Sequence, residues 1–439
     1  MAKKNSICSV QLKQNKWLAT LFEAILEYLP DDLHSKSERS TFLSVSEHAL
    51  SVANHAYNFR LDFEEIHNLS YLYLQLGCGR KSMAKYDASL DLYDISLSIL
   101  KSQSQQSPCS IAGVYSSMAT VYTEFGQHEK AIEKQKEALA LYESADNDLP
   151  DYTPELIKAY IASTKNNIGE AYTHYGDFKT GLVWYHDSLN DFESIKSDYL
   201  DNMATVYNNI GLNHLEQEED EEALIFLQQA QEIREKILEK PHGDLAVTYC
   251  GIAGVYLRRE QWDDALHWFT EDYEIRKEIF GDDHPEIALC YDNLAGVYYY
   301  LKEKEQSIYY AKEAISLFRK FYGDEHAELI HPCNTIAMTY SREGEYGSAE
   351  EWFEKARKIA VKINHPDNSI TYSGIATLWF MQGDLGKSLV WYEKALEVYQ
   401  RVYGIKNKGT QRTIQNICKV CLKLGDAEKH NTYANLLIE

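Results

Sequence analysis

Two sets of side chains recur along the chain at a fixed interval. The first is amide-rich: Asn166, Asn167, Asn208, Asn209, Asn293, Asn334 and Asn416. Asparagine is a mediocre helix former, so its return inside helical stretches asks for a reason. An amide both donates and accepts, which suits the backbone of an extended peptide and equally suits bonds between neighbouring helices. The second set stands five residues after a recurring small residue: Glu124, His174, Glu216, Arg258, Tyr300, Arg342, Met381 and Lys423. Acidic character gives way to basic. Arg412 and Lys419 add positive charge, and Tyr299 and Phe380 add apolar surface. The arginine fork matches carboxylates in two bonds at once. Residues from about Arg258 to Lys423 are therefore expected to hold an acidic peptide with an aromatic or aliphatic anchor. The competing reading is a solvated helix face whose charges fell there by chance.

Nothing in the sequence points to catalysis. There is no HExxH and no GxSxG, and the fifteen histidines are dispersed. His284, His326 and His365 fall in connections, where capping a helix is the expected role. Gly386-Lys387-Ser388 resembles the end of a phosphate loop, but Met381 stands where the first glycine is needed and no strand precedes it. Cys418-x-x-Cys421 lacks a second pair, so core packing is expected over a redox or zinc role. The acidic run Glu216–Glu222 lacks the glycine and ligand spacing of a calcium loop and reads as a solvated turn. No cofactor and no metal are expected.

The elements that position these residues come from an internal repeat. Each unit has a small anchor, an aromatic three residues on, a turn residue seven on, and small residues twelve and nineteen on. Ala119, Gly169, Gly211, Ala253, Ala295, Ala337 and Ala376 are anchors, and weaker units start from Ser70 and Cys418. Anchors from Gly169 to Ala337 are 42 residues apart. Small residues let two helices approach closely, and one such pair cannot bury its apolar faces alone, so pairs must stack.

This grammar resembles the tetratricopeptide repeat (TPR). The 42-residue period resembles the kinesin-light-chain-like subclass, on Phe280–Glu286 (FGDDHPE), Tyr322–His326 (YGDEH), Asp292-Asn293-Leu294-Ala295 and Asn166-Asn167-Ile168-Gly169. No motor-associated heptad segment accompanies it. The resemblance implies an all-α, right-handed superhelical solenoid of about nine helix pairs, with a concave wall made by the first helices. Residues two and three before each anchor, and one, four and five after it, would face inward. That puts Asn166, Asn167, Asn208, Asn209, Arg258, Asn293, Tyr299, Tyr300, Asn334, Arg342, Phe380, Lys419 and Lys423 in a peptide-binding groove. The clamp that grips chaperone tails needs a lysine three before its first anchor. None of Ser116, Asn166, Asn208, Cys250, Asp292, Asn334, Ser373 and Gln415 is one.

Apolar residues make up 44% and charged residues 25%, the balance of a folded chain. A net charge of −23 argues against nucleic acid as partner. No apolar run approaches a membrane span, no secretory signal is visible after Lys3-Lys4, and eight scattered cysteines fit a reducing setting. A cytoplasmic protein is expected. Residues 1–10 are expected to fray. Helices over Gln11–Leu29 and Glu38–Arg60 lack the repeat grammar, so residues 1–62 read as an N-terminal cap or a separate effector-binding bundle, and 63–439 as the solenoid. The first unit is expected as helices Phe63–Gly77 and Lys81–Leu100. Insertions at 101–109 and 144–154 account for anchor spacings of 49 and 50, and the connection near Asn364–Asn368 is shortened. The expected function is an adaptor that binds a protein or peptide. The alternative is a regulatory sensor whose superhelix changes on binding a peptide, like bacterial pheromone-responsive TPR regulators.

Overall fold

The computed structural model describes residues 21, 24–26, 29 and 36–437, apart from 58–62, 82–84, 104–106, 146–152, 196–198, 240, 364–367 and 406. Most of the expected Gln11–Leu29 helix, the 1–10 segment expected to fray, His365 and most of the 144–154 and 364–368 connections lie outside the described residues. Within them the chain forms nineteen α-helices and one 3-10 turn, with no strand. The chain divides within one helix into two compact units, residues 1–251 and 252–439.

The first unit holds α1 (Lys36–Ala56), α2 (Phe63–Lys81), α3 (Tyr86–Lys101), α4 (Pro108–Glu124), α5 (His128–Glu143), α6 (Pro154–Tyr175), α7 (Phe178–Ser194), α8 (Leu200–Glu216) and α9 (Asp220–Ile237). The dividing helix is α10 (Gly243–Arg258). The second unit continues with α11 (Trp262–Phe280), α12 (Pro285–Leu301), α13 (Lys304–Tyr322), α14 (Ile330–Arg342), α15 (Tyr346–Lys362), α16 (Asn368–Met381), α17 (Leu385–Tyr403), α18 (Lys408–Leu424) and α19 (Ala427–Ala434).

Close helix approach rests on the small slots. Residues twelve and nineteen after the anchor are buried from Ala131 and Ala138 through Ser388 and Ala395. The anchor faces a large side chain sixteen residues on. A Cβ on Gly169 would stand 2.7 Å from the Tyr185 ring, and one on Gly211 would stand 2.7 Å from Leu227. The turn slot explains itself through backbone geometry. Every described residue seven after an anchor has positive φ, from Gly126 at 72° to Gly425 at 74°. Glu218, Glu260 and Lys302 occupy it without being glycine. The following N–H closes each turn on the carbonyl of the +3 residue, as Asp177 on Tyr172 at 2.9 Å and Glu303 on Tyr298 at 3.0 Å. First helices start on caps: Thr153 accepts from Leu156 N ahead of Pro154, and the Nδ1 atoms of His284 and His326 accept from Glu286 N and Glu328 N.

The same geometry corrects the register of the first unit. Ser307 donates to Ala295 O and Ser388 to Ala376 O, each the +12 residue on its anchor. Ser89 makes this bond to Gly77 O at 2.8 Å, not to Ser70. A Cβ on Gly77 would meet the Tyr93 ring at 2.4 Å, the sixteenth residue on. Lys85 N closes on Arg80 O at 3.0 Å as the +8 residue does elsewhere. The anchor is therefore Gly77, which lies 42 residues before Ala119. The connection after α3 exists but is no insertion. Ser70 occupies another small slot, about two helical turns earlier. Ala162 holds that slot in the Gly169 unit, where Ser188 donates to its carbonyl at 2.7 Å, as Ser96 does to Ser70 at 2.9 Å. The two helices consequently run to Lys81 and from Tyr86, later than the sequence reading gives.

Helix α1 shares one buried cluster with the first repeat: Phe42, Ala49, Ala53 and Ala56 pack with Leu69, Leu72, Leu76, Leu92 and Ile99. A Cβ on Gly79 would stand 2.1 Å from the Phe42 ring, so this contact needs glycine there.

Candidate functional site

The recurring amides split into two groups. Those three before the anchor are buried: Asn166 is 6% exposed, Asn208 2% and Asn334 2%. Each bonds to the first helix of the next repeat. Asn209 donates to Asn166 Oδ1 at 3.1 Å, Thr248 to Asn208 Oδ1 at 3.2 Å, and Asn334 Nδ2 to Thr371 Oγ1 at 3.0 Å. Asp292 takes the same slot and meets His331 Nδ1 at 2.7 Å. These side chains join repeats. Asn166, Asn208 and Asn334 are thus buried in the joints between repeats, where the groove expectation had them facing a partner. Asn167, Asn209 and Asn293, one residue later, are half-buried and lie nearer the surface.

In the second unit the +4 and +5 slots interlock between neighbouring first helices. The Arg342 guanidinium stacks over the Tyr299 ring at 4.5 Å and donates through Nη1 to Tyr299 O. Lys423 Nζ stands 4.3 Å over the Phe380 ring, the same relation two repeats later. Arg342 Nε lies 3.5 Å from Glu343 Oε1, and neither Nε nor Nη2 has a hydrogen-bond partner among the described residues. Tyr300 is 46% exposed and stacks on Trp262, with ring centroids 4.4 Å apart and planes 5° from parallel. Burial raises the Tyr300 hydroxyl pKa, neighbouring Tyr299 adds to the rise, and the charge of Arg412 opposes it. Arg258, Lys419 and Lys423 are exposed, and Phe380 is half-buried.

Tyr299, Tyr300 and Arg342 thus belong to one connected set that also includes Trp262, which sequence reasoning missed. Trp262 stands nine after its anchor, a slot that meets the next repeat's +5 residue. The signal was present in the first unit, where His128 and His174 repeat the pairing as stacked rings 6.0 Å apart.

The other motifs are absorbed by packing. Cys418 and Cys421 are free thiols in a core with Ile414, Ile417 and Val420, and burial raises both thiol pKa values. Ser388 of the Gly-Lys-Ser stretch is buried on Ala376 O. Glu218 forms a turn, and Glu219 meets His214 Nδ1 at 2.6 Å. Among the described residues no three His, Cys, Asp or Glu are grouped to hold a metal, and no helix is long and apolar enough to cross a membrane.

No curated protein sequence matches this chain. Solved structures do match, at identities that bear on fold alone. A Rap protein complexed with Competence and Sporulation Factor aligns over 84% of this chain and 96% of its own, at 13% identity and TM-score 0.59. The apo quorum sensor NprR from B. thuringiensis aligns over 83% and 96%, at 14% and 0.56. Aspartyl phosphate phosphatase F from Bacillus subtilis aligns over 88% and 95%, at 14% and 0.54. Two family profiles described as tetratricopeptide repeat match residues 160–236, 244–320 and 305–362, and residues 370–407, together more than half of the chain. With the helix pairs and turns seen here, the chain belongs to the tetratricopeptide-repeat family.

Proposed function

We propose that this protein is an interaction scaffold that holds an extended peptide segment of a partner on the first helices of its second unit. The observation that carries this reading is the Trp262–Tyr300, Tyr299–Arg342 set. It offers the exposed Tyr300 ring beside the half-buried Arg342 guanidinium, whose Nε and Nη2 atoms are themselves buried. A carboxylate docked there gains attraction to the positive charge of Arg342, and an apolar side chain gains the ring face. Lys423 on Phe380, with Lys419 and Arg258, extends the same preference for an acidic peptide with an apolar anchor. Half-buried Asn293 places an amide on the same first-helix wall as Tyr299 and Tyr300. The repeats are preformed, so the receptor loses little ordering entropy on binding. Helix α1 acts as a cap, since its apolar residues pack on those of α2. Buried free thiols suit a reducing, cytoplasmic setting.

Selection of displayed random peptides on the immobilised protein tests the reading. Acidic sequences with one aromatic or aliphatic residue are expected to be enriched, and Arg258→Glu/Arg342→Glu to abolish the enrichment. Identical peptides from both proteins would remove the groove.

A second reading is a peptide-responsive sensor. It is favoured by alignments that cover 83–84% of this chain and 96% of a Rap protein complexed with Competence and Sporulation Factor and of the quorum sensor NprR. Small-angle scattering with and without a selected peptide separates the two: a change in radius of gyration supports the sensor, and unchanged dimensions support the passive scaffold.

A further inference from the structure

A cleft among the last helices of the second unit has the opposite chemistry to the first-helix wall. It lies among α15, α16 and α17, with a volume of about 500 Å3. Trp379 and Trp391 line it, Glu350, Glu351 and Glu354 border it from α15, and Lys387 enters it from α17. Lysines already cover indoles in this stretch. Lys387 Nζ stands 3.9 Å over Trp379, Lys394 Nζ 4.1 Å over Trp391, and Lys355 Nζ 3.8 Å over Trp352. An ammonium on an indole face is attracted by the ring quadrupole, so these rings are shaped and charged for alkylammonium groups.

The carboxylates are not equivalent. Glu354 is taken by Arg357, with two bonds of 2.7 Å. Glu350 and Glu351 are exposed and have no ion-pair or hydrogen-bond partner among the described residues. Lys387 lines the cleft together with the three glutamates, and its ammonium is tied to Asp384 at 3.1 Å, while Lys358 Nζ lies 3.9 Å from Glu354. Glu350 and Glu354 are four apart, so they follow one another along a single face of α15. A row of acids beside an aromatic cleft suits successive cationic side chains better than a single small ion.

We propose that this cleft binds a lysine- or arginine-bearing basic segment of a partner protein. One cationic side chain takes the Trp379 face in exchange for Lys387, and donates to Glu350 and Glu351. The occupant is opposite in charge to the peptide proposed for the first-helix wall, so one scaffold would present two segments of different kinds.

The test is fluorescence anisotropy at physiological ionic strength, with a labelled lysine-rich decapeptide and the same peptide acetylated on every lysine. The free-lysine peptide is expected to bind at least about tenfold tighter than the acetylated one. Glu350→Gln/Glu351→Gln is expected to weaken it about tenfold, and Lys387→Gln to tighten it several-fold by freeing Trp379. All three positions are exposed, and circular dichroism verifies that the variants fold. Equal affinity for the two peptides overturns the proposal. So does equal weakening by the control Glu221→Gln/Glu222→Gln on α9, which would mean attraction to the net charge alone. Displacement by spermine below the peptide's own Kd overturns the partner-segment assignment in favour of a polyamine. Arg342→Glu leaves this affinity unchanged, so failure here is distinct from failure of the first-helix wall.

Discussion

The two units fill the same slots with different chemistry. In residues 1–251, neighbouring first helices are joined by neutral groups, Asn209 to Asn166 and Thr248 to Asn208, and the second helix α5 meets the following first helix through the stacked His128 and His174. In residues 252–439, ions and rings take over: Asp292 to His331, Arg342 on Tyr299, Lys423 on Phe380, with Asn334 to Thr371 the exception. The anchors, the +12 and +19 slots and the positive-φ turns are common to both. Helix pairing is therefore set by small residues and turn geometry, and the residues between repeats are left to vary.

The largest expected effect comes from two arginines, buried Arg234 and mostly buried Arg276, each 23 residues after its anchor. Arg276 in the second unit is held by Asp272 Oδ1 at 2.5 Å and by Glu286, and Cys290 Sγ lies 3.5 Å from Asp272 Oδ2. Arg234 in the first unit has neutral partners only: Asp244 O, Thr248 Oγ1 and Thr205 Oγ1. Asp272→Leu is expected to cost about 3 kcal/mol, because it strips a buried guanidinium of its main counter-charge. Arg234→Met is expected to cost about 1 kcal/mol, since both threonines keep bonds to carbonyls four residues back. Urea denaturation with hydrogen exchange on α9 and α11 measures both. Equal losses would erase the distinction between the units.

Glycines sharpen the comparison next. Gly169→Ala drives a Cβ to 2.7 Å from Tyr185 and 3.0 Å from Gly181 O, so a loss of about 1–3 kcal/mol is expected. Gly296→Ala, in the middle of α12, meets nothing within 4 Å and should gain about 0.5–1 kcal/mol from helix propensity. Thermal melts of both read out the sign. Lys302→Gly relieves a positive φ of 66° and should gain up to about 1 kcal/mol, partly offset by glycine's freedom in the unfolded chain.

The repeat, its 42-residue period and the turn slot were legible because each has a local cause: small residues at fixed spacing and a tight turn. The first unit misled because Ser70 and Gly77 are both small and two turns apart, and contacts across the helix pair, such as the bond from Ser89 to Gly77 O, select between them. The amide ladder was visible as a recurrence, but a sequence does not separate −3 from −2 by burial. Asn166 joins repeats while Asn167, its neighbour, lies nearer the surface. Trp262 and the Trp379–Trp391 cleft were missed because their partners lie on neighbouring helices, beyond any single-helix pattern.

The histidine pair tests the finest difference, since it is the first unit's counterpart of Trp262 on Tyr300. A bond to Glu170, whose Oε1 lies 3.8 Å from Nε2, is the main cause that raises the His174 pKa. Burial lowers that of His128, and the charge of His174 lowers it further. The signs oppose. His174 gains stability from its proton, fully present below the unfolded value near 6.5 and lost as pH rises through its folded value. His128 gains from remaining neutral, a contribution present above 6.5 and lost as pH falls toward its lowered folded value. Mild acid should therefore place one proton on the stack, on His174. Histidine-selective NMR titration should find the His174 midpoint above that of His128. Glu170→Gln should bring the two closer by lowering His174. His174→Gln should raise His128 only part of the way, because burial is the larger cause. Coincident midpoints in the wild-type protein would mean the stacked pair is uncoupled, and the parallel with Trp262 and Tyr300 would then be one of shape alone.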